Sequence, residues 1–398
     1  MLVWGGETLS ELGSQISTVA YPLLVLALTG SAVKAGVVGL AKWLPVALFA
    51  LPAGVLADRV NRKRLMIVCD GVRALVLASI PVVLAVGHLS YLQVVVVAFV
   101  DGGLFAVSYV TERSALGQLV APEQLPSAVA QNEARWFAAS VAGPPLGGLL
   151  FAAGRSLPFL ADAVSYAASS LAVALTRTPF EQPRTPGRGG VRSELAEGLV
   201  WIWQRPFFCA TALLSSAGNP LFTGLYLLAI LLAKQHGASS AAVGLMFAVV
   251  GAGGLLGALV AAPLRRHLSA RSAVLAEDWL LAATLPLLLV VHAAVAIGFV
   301  VAAAEFLTPL TNSIVAGQRV ALTPNRLRGR VQASATTLTM SLGWVGPLAV
   351  GVAFQHTGQT TTVLALTAYA VTLAGAATLT PALRRAPEYT RDRVEQVA

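Results

Sequence analysis

Charge is what this 398-residue chain has least of, with only 11% of its residues Asp, Glu, Lys or Arg. Soluble domains carry roughly 25%. A soluble fold has too little interior to hide so much apolar sequence, so a water-soluble globular class is excluded. Cysteine is scarce too, since Cys69 and Cys209 are the two present, both in or beside apolar runs. No disulfide framework is expected, and neither thiol has a His or Cys at metal-ligand spacing. The chain also lacks H-E-x-x-H, G-x-S-x-G and phosphate-loop patterns, and its five histidines scatter near the ends of apolar runs. An intramembrane hydrolase or a self-contained ATP-driven pump is thereby disfavoured, and no enzyme activity, cofactor or metal site is expected. No basic segment precedes the first apolar run, so no cleavable leader is expected.

What the chain has is long apolar runs, and its mean hydropathy is +0.75. Stretches of about 20 residues, enough to cross a bilayer, lie between glycine, proline and charge clusters. They predict twelve spans at 4–28, 35–57, 65–86, 90–113, 134–153, 157–176, 208–232, 241–262, 272–291, 294–318, 331–354 and 360–381. The runs are too long for barrel strands and do not alternate, which excludes a β-barrel. The net charge of +9 does not point to nucleic acid, because the cations fall in the short gaps between spans. With the N-terminus cytoplasmic, the inner gaps and tail hold 19 cations and the outer gaps three, Lys34, Arg155 and Lys234. That bias predicts both termini inside a bacterial inner membrane, with the bilayer as one partner.

The halves echo each other. APEQLPSAV then VAGPPLGG, at 121–129 and 141–148, recurs as TPNRLRGRV then WVGPLAVG, at 323–331 and 344–351. A six-plus-six duplication follows, the pattern of a transporter. The expected division is a first six-helix bundle at 1–176, a central loop at 177–206, a second bundle at 207–383 and a tail at 384–398. The loop ends in the amphipathic stretch LAEGLVWIWQ, whose Trp201 and Trp203 suit a membrane interface.

Residues 54–64 read GVLADRVNRKR, a tight turn with an acid closing one span and a basic cluster opening the next. The stretch resembles the signature of the major facilitator superfamily, G-x-x-x-D-R-x-G-R-[RK], in its usual place between the second and third spans. Gly54, Asp58, Arg59, Arg62 and Lys63 match; the second Gly is Asn61 here, a residue tolerant of the left-handed conformation. On the fifth span Gly143, Pro144, Gly147 and Gly148 are similar to the Gly-Pro signature of the superfamily's antiporters, with Ala139 in place of its leading Gly. Gly346 and Pro347 stand at the matching place of the second half. Small residues allow close helix approach and proline kinks a helix, so tight packing and a rocking hinge are both open. LVAPEQLPSAVAQNEARW and FLADAVSYAASS look like the efflux branch that holds macrolide efflux proteins and the enterobactin exporter. The resemblance implies an all-α membrane protein of twelve helices in two pseudo-symmetric bundles, a monomer working by alternating access. In most members export is driven by proton entry.

An ionised acid at mid-bilayer costs about 2.5 kcal/mol or more, and is tolerated facing a cavity or a partner. Asp70 with Arg73, and the group Glu112, Arg113, Glu133 and Arg135, have cations close in sequence, which suggests structural or gate roles. Asp162 lies near the outer end of its span and reads as structural. Asp101 and Glu305 are central and lack such neighbours, although Lys42 is a possible partner for Asp101. Thr308 and Asn312 share the Glu305 face. Glu7, Glu11 and Gln15 are spaced by four, with Ser14 and Thr18 beside them, and so lie on one stripe of the first span. Glu7 is shallow, where the helix dipole and water favour an anion. Glu11, Gln15, Asp101, Glu305 and Asn312 are the expected cavity lining. The leading expectation is a secondary active exporter of amphipathic small molecules coupled to protons. A siderophore, metabolite or lysolipid mover stays open.

Overall fold

The computed structural model describes residues 2–119, 125–176, 191–265, 267–324 and 327–384. Some side chains within these ranges, those of Gly54, Asp58, Arg59, Arg113 and Glu133 among them, lie outside the description. All regular structure among the described residues is helical. The first half holds α1 (Leu2–Thr29), α2 (Ala32–Arg59), α3 (Arg62–Val86), α4 (Tyr91–Leu119), α5 (Leu125–Ala153) and α6 (Leu157–Leu175). A connecting helix α7 (Val191–Trp203) leads to α8 (Pro206–Gln235), α9 (Ser240–Leu264) and α10 (Ala270–Thr284). Then come α11 (Ala294–Glu305), α12 (Thr308–Leu322), α13 (Arg328–Met340), α14 (Val345–Leu379) and the short α15 (Pro381–Arg384).

Ten helical segments are long and apolar enough to cross a membrane, and the last of them runs 52 residues from Arg328 to Leu379. That is twice what a bilayer needs. Gly358, at φ +80°, breaks it within α14, a conformation that only glycine adopts without strain. The fifth expected span is the apolar part of α5, Ala138–Ala153. Each expected span therefore has its helix. The tenth differs in detail, because it is interrupted at Phe306–Leu307 between α11 and α12, ahead of Pro309. The eleventh breaks likewise between Met340 and Val345, and the ninth ends in a 3₁₀ segment, Leu285–Leu289.

Ser90 caps the start of α4, accepting from the Gln93 N–H at 3.2 Å, and four further helix starts carry side-chain caps that repeat. Ser31 and Asn61 accept from the backbone N–H three residues on at α2 and α3; Ser239 and Ser269 do so at α9 and α10. The two pairs are offset by the same 208 residues, so the duplication is written into helix termini, each cap being worth about 0.5–2 kcal/mol. Asn61 sits at φ −54° and caps α3 through its side chain. The left-handed role expected for it is corrected: the position needs a cap, which Asn supplies and Gly would not.

Within the first half α1 packs on α5 and α6, α2 on α4, and α3 on α4 and α6; in the second α8 packs on α14, α9 on α11, and α10 on α14. The halves meet along two seams, α5 against α9 and α2 against α14. Gly148 touches the Gly244 backbone at one seam, and Gly351 lies against Gly36 and Ala32 at the other. Both contacts lie toward the end that carries Ser31, Ala153, Ser239 and Gln355. There a single apolar core runs through both halves, from Leu24 and Phe159 to Leu228 and Val350. Toward the other end the described core is divided: one cluster belongs to the second half with α7, and two small ones to the first. The connector α7 docks on α13, where Gly198 lies beside the Arg330 carbonyl and Glu197 pairs with Arg330 at 2.5 Å. Trp201 is buried there against Phe208, with the Arg205 guanidinium 4.0 Å from its ring. Trp203 alone keeps the exposure expected of both.

Candidate functional site

In the first half the charges meet in a buried cluster. Asp101 on α4 has no solvent exposure and takes an ion pair from Lys42 on α2. Arg73 on α3 gives a second, Nε to Oδ1 at 2.8 Å, and the Tyr21 hydroxyl on α1 donates at 3.4 Å. Gly102 makes the cluster possible: any side chain there would run into the Lys42 carbonyl, so glycine lets α4 lie directly on α2. The Arg73 guanidinium lies 3.9 Å from the Tyr166 ring centroid, a close cation–π contact. The pairing of Arg73 with Asp70 suggested by their spacing is corrected, since Asp70 instead accepts from Ser169 of α6 at 2.8 Å.

A second cluster ties three helices together nearer the chain's ends. Arg135 on α5 holds Glu7 of α1 at 2.8 Å and Glu112 of α4. Glu7 is thus an ion-pair partner and not a free anion at a helix start. One turn on, Gln15 Nε2 donates to Glu11 at 3.0 Å and Thr18 to the Ser14 carbonyl at 2.8 Å. Gln15 and Ile16 also form the surface on which α5 rests, against Gly143 and Gly147. In the second half Gly346 lies against Pro220 and Gly224 of α8, while Pro347 lies against Gly36 and Gly39 of α2. These small residues act as packing contacts within and between halves.

In the second half Glu305 ends α11 at the helix break and accepts from Tyr226 of α8 at 2.9 Å. Its other oxygen, Oε1, is buried without a hydrogen-bond partner. The break turns Thr308 away from Glu305, so Thr308 donates to Glu277 at 2.7 Å instead. Asn312 is exposed. Of the signature between α2 and α3, Gly54, Asp58 and Arg59 sit in the last two turns of α2, and their side chains lie outside the described residues. Arg62 is buried, and Lys63 donates to the carbonyls of Ala174 and Thr176 at 3.1 and 2.6 Å. A cation there satisfies the free carbonyls at the end of α6 and complements its dipole.

Asp162 of α6 is the acid that sequence position undervalues. It has no exposure, and neither carboxyl oxygen has a hydrogen-bond partner. The signal available in sequence is an acid set among small hydroxyl residues, ADAVSYAASS. Among the described residues no group of three or more His, Cys, Asp or Glu could hold a metal ion.

The model of the family described as transmembrane secretion effector, within the major facilitator superfamily, matches residues 1–396. The chain belongs to this family. Its similarity to the multidrug efflux pump Tap of Mycolicibacterium fortuitum is 29% identity over 94% of this chain and 93% of that one. The Mycobacterium tuberculosis protein of the same name is 28% identical over 98% and 96%. Macrolide efflux protein A of Streptococcus pyogenes shares 26% over 44% of each chain. Among solved structures the nucleoside transporter NupG superposes with TM-score 0.71 at 14% identity, over 96% of this chain and all of that one. A bacterial Spinster homologue, inward-facing and occupied, gives 0.69 at 14% over 98% of each chain. At these identities the structures show the fold alone.

Proposed function

We propose that the chain is a secondary active exporter of amphipathic small molecules, working by alternating access and driven by proton entry. The observation that carries this reading is the half-buried Glu305 at a helix break, with one carboxylate oxygen bonded to Tyr226 and the other buried without a partner. A carboxylate that faces a cavity of alternating access can load a proton from one side and release it to the other. The drug class is supported by full-length similarity to proteins named multidrug efflux pumps. The proposed division has bundles at 1–176 and 207–383, a connector at 177–206 and a tail at 384–398. The two bundles rock against each other so that the seams where Gly148 and Gly351 lie part in one state and close in the other. The state described is closed at the end bearing Lys34, Arg155 and Lys234, and the cation bias makes that the outside.

Glu11, Gln15, Glu305 and Asn312 form the polar lining, with Asp101 sealed behind it, and Gly54 to Lys63 the cytoplasmic gate. Among these residues the roles divide. Asp101 would have to abandon two cations to take a proton, so it anchors α2, α3 and α4, whereas Glu305 gives up no ion pair. The exporter acts as a monomer in the bacterial inner membrane with both termini inside.

Proteoliposomes with an imposed pH gradient and an internal pH dye test the reading. Amphipathic cations, macrolides, siderophores and lysolipids are added in turn. Substrate-dependent proton flux is expected with amphipathic drugs, and its loss in Glu305→Gln. Substrate movement without proton flux would reduce the function to facilitated transport and Glu305 to cavity lining.

A further inference from the structure

Asp162 takes no part in the ion pairs above, and its surroundings define what it can hold. It faces Gly13 and Ser17 of α1, sealed from solvent, and the Ser17 hydroxyl is the one donor turned toward it. An ionised carboxylate so placed is among the costliest groups a fold can bury. The hydroxyls of the surrounding cluster are already committed. Ser14 donates to the Ser10 carbonyl at 2.9 Å, so in its bond with Tyr166 the tyrosine is the donor. Ser17 donates to the Ser14 carbonyl at 3.1 Å, Ser165 to the backbone carbonyl of Asp162 at 2.7 Å, and Tyr21 to Asp101. Apart from Ser17, whose hydrogen is shared between the Ser14 carbonyl and Asp162, these oxygens have no hydrogen left to give, yet each keeps a lone pair. One shared donor among acceptors suits a carboxylic acid O–H better than a carboxylate.

One donor in the cluster is unspent. Arg73 gives Nε to Asp101 and stacks on Tyr166, one turn along α6 from Asp162, while its Nη2 is buried without an acceptor. The charged and titratable groups around Asp162 are Tyr21 from α1, Lys42 from α2, Arg73 from α3, Asp101 from α4 and Tyr166 from α6. Asp70 of α3 is turned to Ser169, and the stretch of α5 alongside, 141–153, has no titratable residue. Two cations thus face two carboxylates, and the cluster is electrically balanced only when Asp162 is ionised. With Asp162 neutral, both cations converge on Asp101, the arrangement described.

We propose that Asp162 is a proton site of the first half, neutral in this state, and that Arg73 passes from Asp101 to Asp162 when that proton leaves. Lys42 stays on Asp101, so neither carboxylate is left unpaired during the exchange. The proton goes to water on whichever face the transporter opens. Arg73 is a positioning residue, and Asp162 a proton carrier additional to Glu305. The inference deepens the proton-driven reading and rests on it.

Infrared titration of the purified protein tests the site without transport. At neutral pH the wild type should show a protonated-carboxyl band that is missing in Asp162→Asn. Asp101→Asn removes the present partner of Arg73, so the same band should vanish with Asp162 intact; this arm holds even if Asp162→Asn fails to fold. A band unchanged in Asp162→Asn, or retained in Asp101→Asn, overturns the assignment. In proteoliposomes Asp162→Asn should lower substrate-driven proton flux about tenfold. If the wild type moves no protons while the bands behave as described, the proton-driven reading fails and the buried acid stands. If protons move but the bands do not respond, this site alone is wrong.

Discussion

A single guanidinium, that of Arg135, holds carboxylates from two other helices, and the consequence can be sized. Glu7 and Glu112 are 13% and 25% exposed, so losing the cation leaves two like charges with little water. Breaking a fully buried pair costs about 3–5 kcal/mol, and partial exposure lowers that, so Arg135→Ala is expected to cost about 2 kcal/mol. Thermal unfolding in detergent should show a lowered Tm, largely restored in Arg135→Ala/Glu112→Gln. No restoration would mean that Arg135 acts by packing its stem. Such pairs are only partly legible in sequence. Asp101 stands out as a central acid, and Lys42 can be matched to it because both lie mid-span. Arg73 cannot be, because sequence spacing reports neighbours on one helix, and its i−3 neighbour Asp70 is the only acid that spacing suggests. The true partner is on α4, across a contact that depends on Gly102. Asp162 is harder still, since no periodicity tells whether nearby hydroxyls donate or accept. Asn61 reads as a loop residue in a motif and becomes a cap only once Arg64 is seen to donate to it.

Helices are where sequence reading does best, because a bilayer demands long apolar runs and the chain has little else. The positions of all twelve expected spans coincide with helices, yet the interruptions at Phe306–Leu307 and between Met340 and Val345 do not show in hydropathy. Apolar content does not change where a backbone breaks, and breaks can be tolerated where neighbouring protein satisfies the freed backbone groups. The Gly-Pro elements are legible as close-packing residues, though not which helix each one meets. Gly148 on α5 meets Gly244 on α9 backbone to backbone, and Gly351 on α14 meets Gly36 on α2. A branched side chain at either place cannot fit without moving a helix. Overpacking of this kind costs about 1–3 kcal/mol, charged only to the state in which the seam is closed. Gly148→Val and Gly351→Val should therefore each shift the population toward the outward-open state, by roughly 5-fold to 150-fold. Spin-label distances across the outer end would read the shift. An unchanged distance distribution in both variants would remove these glycines from the conformational switch and leave them as static packing.

At the scale of the whole molecule the two seams are related by the duplication, but they are not equally built. The α2–α14 seam carries a polar latch at the end proposed to face outside: Ser31 donates to Gln355 Oε1 at 2.6 Å, and the Val33 backbone N–H to the same oxygen at 3.0 Å. On the α5–α9 seam the described contacts at that level are glycine on glycine and on the Ser240 carbonyl, with no side-chain amide between the helices. The outer closure thus has one hydrogen-bonded side and one held by packing alone. Opening must break both at once if the bundles move as rigid bodies, so the latch weighs on the whole equilibrium although it sits on one side. Its bonds are exposed, and two neutral exposed bonds together contribute about 1 kcal/mol. Gln355→Ala should then raise the ratio of outward-open to outward-closed molecules about fivefold. Gln355→Glu keeps an acceptor oxygen at this position and should stay near wild type, which separates loss of the acceptor from loss of side-chain bulk. A spin-label pair placed across the α5–α9 seam, remote from the substitution, gives the decisive readout. A shift there shows that the bundles open as units. Opening confined to the α2–α14 side would mean that the seams move independently, and would overturn rigid-body rocking for this chain.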